Sequence, residues 1–360
     1  MDENNNINEN EFDNDFDDFD FVDHYSTDVE TKGEDQLDDN TAPSGLNCAF
    51  VGFGAGGGKM AKAFLDLGFN KTLLINTTDK DLPEGIDEKH VVLIPDADGV
   101  GKDVSLGKAI FKQNDTVVED ALRTKLGHID WLFVLAGGGG GTGSACAELH
   151  NVMERFLQSV QAKGKVVYII SWPTAQELLN PTIVKNAVSL ANDVKEHSHI
   201  LIDNERQLQL LRGKVGMLGM YPLANKSFAK LFAQILKLSD EQSPVQTFDS
   251  KDLEKCLSTN KRIFLGTTVV GDPKKPNLGA AVYQECSKRS PCPPPKGKGA
   301  TGTMLLVITS EMANDPEISK HLDAAVSYVG GRAETLFSGV YVRNKLPGLI
   351  AILMMSGLEE

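Results

Sequence analysis

Nine residues constrain this chain more than any others: Ala136-Gly-Gly-Gly-Gly-Gly-Thr-Gly-Ser144. Five consecutive glycines carry a heavy conformational-entropy cost on folding. The cost makes sense where backbone N–H groups must close around a phosphate chain, with the hydroxyls of Thr142 and Ser144 as further donors. The segment is not a Walker loop, because no Lys-Ser/Thr pair ends it. It joins an apolar run, Ile129–Ala136, which reads as a strand, to a helical pattern over Ala145–Ala162. A second glycine-rich segment, Gly52-Phe-Gly-Ala-Gly-Gly-Gly-Lys59, has the same setting, between the run Cys48–Gly52 and a helix over Lys59–Gly68. Alone it is a weak signal: a tight turn under a closely packed helix satisfies it, and so does the dinucleotide spacing Gly52-x-Gly54-x-x-Gly57. Two such turns on neighbouring strands imply a nucleotide with several phosphates.

The rest of the pattern fits that setting. Lys71–Asn76, His90–Pro95, Val166–Ser171 and Ile200–Ile202 read as further strands, with helical periodicity over Asp115–Leu126 and Pro181–His197 between them. Alternating strands and helices predict an α/β fold with a Rossmann-like, doubly wound parallel sheet, whose ligands bind at the carboxyl ends of the strands. Pro222–Leu238 reads as one long helix. Beyond it come strands over Ile263–Val270, Gly302–Thr309, Gly339–Arg343 and Leu349–Met355, and helices over Leu278–Cys286 and Ile318–Val329. These predict a smaller α+β domain, with the proline-rich Ser287–Gly299 as a loop or insertion. The expected division is a disordered acidic arm (1–45), a nucleotide-binding domain (46–221), the central helix and its following loop (222–258), and the C-terminal domain (259–360).

Charge is unevenly placed. Of 50 acidic and 36 basic residues, sixteen acids and one base, Lys32, fall within residues 1–45, which leaves 34 acids against 35 bases for the remainder. The arm interleaves Phe12, Phe16, Phe19 and Phe21 with Asp, Glu and Asn. It reads either as a solvated tail or as a linear motif that docks on a neighbouring subunit or an adaptor. A near-neutral body lacks the basic stripe of a direct nucleic-acid binder. No apolar run approaches the roughly 18 residues of a membrane span, and an acidic start is unlike a signal peptide. Five cysteines without metal-ligand spacing are expected to be free thiols in a reducing cytoplasm.

Gly139 to Ser144 resembles the signature loop of tubulin and FtsZ, and the resemblance extends over most of residues 46–355. It implies the tubulin/FtsZ fold, guanine nucleotide (GTP/GDP) with magnesium, GTPase activity, and head-to-tail self-assembly. It also assigns roles by position. Gly138, Gly139, Gly140, Gly141, Thr142, Gly143 and Ser144 would cradle phosphates. Ala55, Gly56, Gly57, Gly58 and Lys59 match the first phosphate loop, although Lys59 stands where FtsZ usually has Asn. Asn76 and Thr77 match an Asn-Thr-Asp loop in which Thr78 replaces the acid. Gly99-Val-Gly-Lys-Asp103 replaces a Gly-Ala-Gly-Ala loop that faces the terminal phosphate, with Lys102 as a further phosphate contact. Glu177 matches the ribose-contacting Glu, whereas Pro181 replaces the Arg that follows it. Asn204 matches a nucleoside contact.

Tyr221 and Asn225 match Phe-x-x-Ala-Asn at the start of the central helix. Positions i and i+4 share a helix face, so a ring can stack on a purine while an amide reads its edge. A core Tyr with a helix-cap Asn would show the same spacing. Asp249 and Asp252 match the two carboxylates that, in the family, polarise water on the next subunit's nucleotide, with Thr247 in place of Asn. Locally they also read as a helix N-cap with an acidic first turn. The altered third loop, and a sequence ending just after its last strand, suggest a divergent branch from a phage, a plasmid or a secondary paralogue. Two other readings remain open: a filament scaffold with little hydrolysis, and a dinucleotide-dependent oxidoreductase, in which the second glycine loop has no place.

Overall fold

The computed structural model describes residues 45–359, so the expectations for the acidic arm lie outside the described residues. The first half runs β1 (Cys48–Phe53), α1 (Gly54–Leu65), β2 (Thr72–Asn76), β3 (Val91–Leu93), α2 (Val104–Gln113), α3 (Asp115–Leu126), β4 (Trp131–Gly137), α4 (His150–Ser159), β5 (Val166–Trp172), α5 (Pro181–Val194) and β6 (His199–Asp203). These strands pair in the order β3-β2-β1-β4-β5-β6, all parallel. The order reverses between β1 and β4, the place where a doubly wound sheet opens a crevice.

Successive residues of β1 serve opposite faces of the sheet. Phe50 joins Phe64, Phe69, Phe133, Phe228 and Phe232 in an aromatic cluster beneath α1 and the long helix α7 (Met217–Leu238). Val51 and Phe53 face the other layer, with Phe111 of α2, Leu122 of α3, Phe156 of α4 and Leu190 of α5. A buried Phe contributes about 2 kcal/mol, so helices on both faces hold the strand ends, and hence their loops, in fixed register.

Helix boundaries depart from the sequence reading where glycine and proline mislead. α1 begins at Gly54, not Lys59, because the glycines form its first turn. α7 begins at Met217, ahead of Pro222. The proline lies inside the helix and removes one hydrogen bond, the one its missing N–H would have given to the Leu218 carbonyl. Ala145–Ala162 is broken into a 3₁₀ turn, Cys146–Leu149, followed by α4. Among helices of eight or more residues, two were not expected at all: α2, and α6 (Asn204–Leu211), which is too short for its period to show.

After α7 come α8 (Ser250–Leu257), β7 (Arg262–Val270), α9 (Leu278–Arg289), β8 (Gly299–Thr309), α10 (Pro316–Gly330), β9 (Ala333–Arg343) and β10 (Leu349–Leu358). β9 is longer than the expected Gly339–Arg343. β7, β10, β8 and β9 form a mixed sheet that continues the parallel one through two residue pairs, His199↔Arg262 and Ile200↔Ile263. The proline-rich loop after α9 fastens this join. Pro291 accepts from Asp203 N at 2.9 Å, and the Arg262 guanidinium donates to the carbonyls of Pro293 and Pro294. All five cysteines are free and buried, and no helix among the described residues is long and apolar enough to cross a membrane.

Candidate functional site

The two glycine turns meet at the carboxyl edge of the sheet. Gly54 adopts a left-handed conformation (φ 67°), which lets the chain pass from strand to helix without a loop. A Cβ there would lie 3.0 Å from Gly143 N and 3.2 Å from Thr142 Cβ. Gly57 has a different duty: its Cβ would stand 2.1 Å from the Leu135 carbonyl oxygen, so α1 can lie on β4 only with glycine at that point. Neither α1 nor the one-turn helix Gly141–Ser144 has a side-chain cap. Their first N–H groups lack intrahelical partners, and both helix starts present donors and positive dipole ends to one space. Buried Thr77 and Thr142 join their hydroxyls at 2.9 Å, tying the loop after β2 to the second turn. Ser144 Oγ donates to the Gly138 carbonyl at 3.0 Å and closes that turn on itself.

The space so enclosed is a cleft of about 510 Å³, within the range of small-molecule sites. Of the residues singled out in the sequence, Ala55, Gly56, Lys59, Asn76, Gly138, Gly139, Gly140, Gly141, Thr142, Gly143, Glu177, Asn204, Tyr221 and Asn225 line it. Gly57, Gly58 and Ser144 are buried behind it. Asp249 and Asp252 are not among its walls. The sequence reading missed Pro173 and Ile183, which give it an apolar flank. It also missed Asn186, a buried amide on α5 that donates to the carbonyls of Lys102 (2.9 Å) and Gly139 (3.3 Å). No sequence signal could have found Asn186, because its partners lie 84 and 47 residues away.

One atom marks the cleft as incomplete. Asn76 is 3% exposed, and its Oδ1 accepts from Thr77 N at 2.9 Å, but its Nδ2 has no hydrogen-bond partner among the described residues. Leaving a buried amide donor unpaired costs about 1–3 kcal/mol. A ligand oxygen in the cleft would remove that cost. Around it, Lys59 and Lys102 are the lining cations and Asp81 and Glu177 the lining carboxylates.

Another part of the cleft wall carries one aromatic ring and two amides. Tyr221 and Asn225 stand one turn apart on α7, and Asn204 opens α6. Asp203 caps α6 by accepting from Glu205 N (2.9 Å) and Arg206 N (3.2 Å), which leaves the Asn204 amide free of capping duty. Burial, and then the charges of Glu177 and Glu205, push the Tyr221 phenol above its usual range, so it stays a neutral ring and donor. Glu177 Oε2 accepts from Thr174 N (2.8 Å) and Thr174 Oγ1 (3.0 Å), which fixes the carboxylate at the rim.

Asp249 is exposed and caps α8, its Oδ1 accepting from Asp252 N at 3.0 Å. Burial raises the Asp252 carboxyl above its usual range, and the neighbouring Asp249 charge adds to this. The segment is braced from below. The Tyr341 hydroxyl on β9 donates to the Leu238 carbonyl at 2.6 Å and takes the Phe248 N–H at 3.1 Å, while Gln246 bridges Val340.

A parallel sheet with a glycine-lined cleft at its switch point, followed by a long helix and a mixed sheet, is the tubulin/FtsZ fold. Among solved structures, that of GDP-form protofilaments of Bacillus thuringiensis serovar israelensis TubZ superposes with a TM-score of 0.72, at 14% identity, over 88% of each chain. In sequence, the tubulin-like protein CetZ of Methanothrix thermoacetophila is 24% identical over 324 residues, 85% of this chain and 83% of that one. The tubulin-like protein TubZ of Clostridium botulinum C phage is 27% identical over 224 residues, 59% of this chain and 57% of its own length. No protein-family model matches the chain. The chain thus has the tubulin/FtsZ fold, and its sequence is similar to the tubulin-like proteins CetZ and TubZ.

Proposed function

We propose that this chain binds guanine nucleotide in the cleft, assembles head to tail into cytoplasmic filaments, and hydrolyses GTP at the junction between subunits. The observation that carries the reading is the unsatisfied Asn76 amide between two facing glycine turns. The turns take the phosphates, Tyr221 stacks on the base, and Asn204 and Asn225 read its edges, with Glu177 at the ribose. Among the described residues no cluster of three or more His, Cys, Asp or Glu side chains is built to hold a metal. Magnesium would enter with the phosphates and would supply neutralisation of their charge, with Asp81 a lining carboxylate beside the loop after β2. A related protofilament is GDP-bound TubZ, which supports both the nucleotide class and self-association.

Asp249 and Asp252 lie outside their own cleft, so they can act only on the nucleotide of a neighbouring subunit. There the carboxylates orient and polarise the attacking water, while the glycine-turn donors hold the developing phosphate charge. Neither subunit holds a complete hydrolytic site, and a heterologous contact that does not close yields a filament. A second reading, a scaffold that binds nucleotide but hydrolyses slowly, draws on Asp249 already serving as a helix cap and on Thr78, Pro181 and Thr247 at three family positions. The acidic Phe-containing arm is proposed as a docking segment for a neighbour or adaptor.

The test is light scattering of the full chain with GTP, GDP or no nucleotide, with phosphate release followed in parallel. Scattering and release that both require GTP support the proposal. GTP-dependent scattering without release selects the scaffold. No nucleotide dependence overturns both.

A further inference from the structure

We infer that Arg206 is a positioning residue for the nucleoside end of the cleft: it fastens the first turn of α6 to the C-terminal end of α9 and so holds the Asn204 amide in place. The inference rests on the guanine-nucleotide reading of the cleft. Helix geometry separates the duties of the two residues. Successive helical residues turn by about 100°, so positions two apart point to nearly opposite sides. Asn204 lines the cleft, and Arg206 is not among its walls. The Arg206 guanidinium reaches the end of α9 instead. Its Nη2 donates to the Ser287 carbonyl at 2.7 Å and the Lys288 carbonyl at 3.3 Å, and its Nε donates to the Ser290 carbonyl at 3.2 Å. The last carbonyls of a helix lack intrahelical partners, and that end carries the negative pole of the dipole. A planar cation with several donors satisfies both needs at once.

The far side of this clamp is itself anchored. Ser290 Oγ donates to the Leu265 carbonyl of β7 and accepts from Cys292 N at 2.9 Å. The residues beside Arg206 hold the other walls. Glu205 Oε2 accepts from Ala175 N at 3.1 Å, in the loop that carries Glu177. Buried Gln207 donates through Nε2 to the Ala224 carbonyl at 3.4 Å, next to Asn225 on α7. One turn of α6 is thus tied to the loop after β5, to α7 and to the C-terminal domain, and Asn204 is its residue in the cleft wall. Glu205 and Gln207 each make one bond to another element, whereas Arg206 makes three, all from a charged donor. Hydrogen bonds weaken steeply away from their preferred geometry, so an α6 released from α9 loses nucleotide affinity through Asn204.

The experiment is a double-mutant cycle on the full chain. Equilibrium affinity for GDP is measured below the concentration of assembly for wild type, Asn204→Ala, Arg206→Ala, Arg206→Lys and the Asn204→Ala/Arg206→Ala pair, with thermal unfolding followed in parallel. Loss of the Asn204 contact should weaken GDP binding about tenfold, and loss of its positioning by Arg206→Ala about fivefold. If Arg206 acts through Asn204, the pair binds within about twofold of Asn204→Ala alone. Lys keeps a charge at the end of α9 but cannot span three carbonyls, so that variant should fall between wild type and Arg206→Ala. Should Arg206→Ala fail to fold, Arg206→Lys takes its place in the cycle. Unchanged GDP affinity in the Arg206 variants, no effect of Asn204→Ala, or losses that multiply in the pair overturn the positioning role and leave the cleft reading standing. A wild-type chain that does not bind GDP overturns the cleft reading and this inference together.

Discussion

The cleft and the Asp249 segment are both read as functional, yet they are built on opposite principles. The cleft is unfinished among the described residues: Asn76 Nδ2 has no partner, two helix starts are uncapped by side chains, and Lys59 and Lys102 show no ion pair. The Asp249 segment is finished, with the carboxylate capping its helix, Phe248 fully buried, and Tyr341 satisfying the backbone beneath. A site that binds a ligand in a single chain shows its need within that chain. A side chain that acts across an interface can be locally complete, since its second duty exists only when a neighbour arrives.

The sharpest way to break this contrast is to separate packing glycines from ligand glycines. Gly57→Ala drives a Cβ to within 2.1 Å of the Leu135 oxygen, and denaturant unfolding should show a loss of about 3 kcal/mol or more, or no folded chain. Gly140→Ala meets nothing within 4 Å. It should leave stability within about 0.5 kcal/mol while nucleotide affinity falls. Equal destabilisation by the two would mean that the cleft is ordinary packing.

Next in size is Asp249→Asn, which keeps a good cap and removes the charge. Phosphate release by assembled protein should fall about a hundredfold, with the thermal shift on adding nucleotide unchanged. Asp249→Ala should lose the same activity and a further ~1 kcal/mol of stability. Unchanged release in the Asn variant would leave capping as the only duty of Asp249. Tyr341→Phe removes the brace under that segment. It should cost about 1–2 kcal/mol and weaken assembly, while monomer nucleotide affinity holds.

The smallest effect lies outside both regions. Burial, and then the adjoining His197, push the His150 imidazole down to about 4. The unfolded chain then binds the extra proton first as pH drops. Stability is full above about pH 6.5, falls as pH decreases toward 4, and levels off below. The loss is about 1 kcal/mol after allowing for solvent screening of a partly exposed ring. His150→Gln should flatten that limb of a pH–stability curve and leave nucleotide affinity alone. A curve that keeps its slope assigns the slope elsewhere.

Much of this was legible in the sequence, for identifiable reasons. β1 and β4 are continuous apolar runs with glycine at or next to their last residue, the pattern of a buried parallel strand leading into a close-approach turn. Fourteen of the cleft's residues were named from two glycine motifs together with the resemblance to tubulin and FtsZ. The misses have physical causes. Pro222 looks like a helix start but sits inside α7, and the glycines before Lys59 look like a loop but form the first turn of α1.

The sequence by itself determined the alternation of strands and helices, and the chemistry stationed at the strand ends, because side-chain periodicity and glycine content are local properties. Only the tertiary structure decided which glycines line the cleft and which face a neighbouring carbonyl. It alone showed that Asn186 clamps two distant loops, that the Asn76 amide has no partner among the described residues, and that Asp249 is not among the cleft's walls. Those facts depend on distances between segments dozens of residues apart, which are set when helices pack on both faces of the sheet.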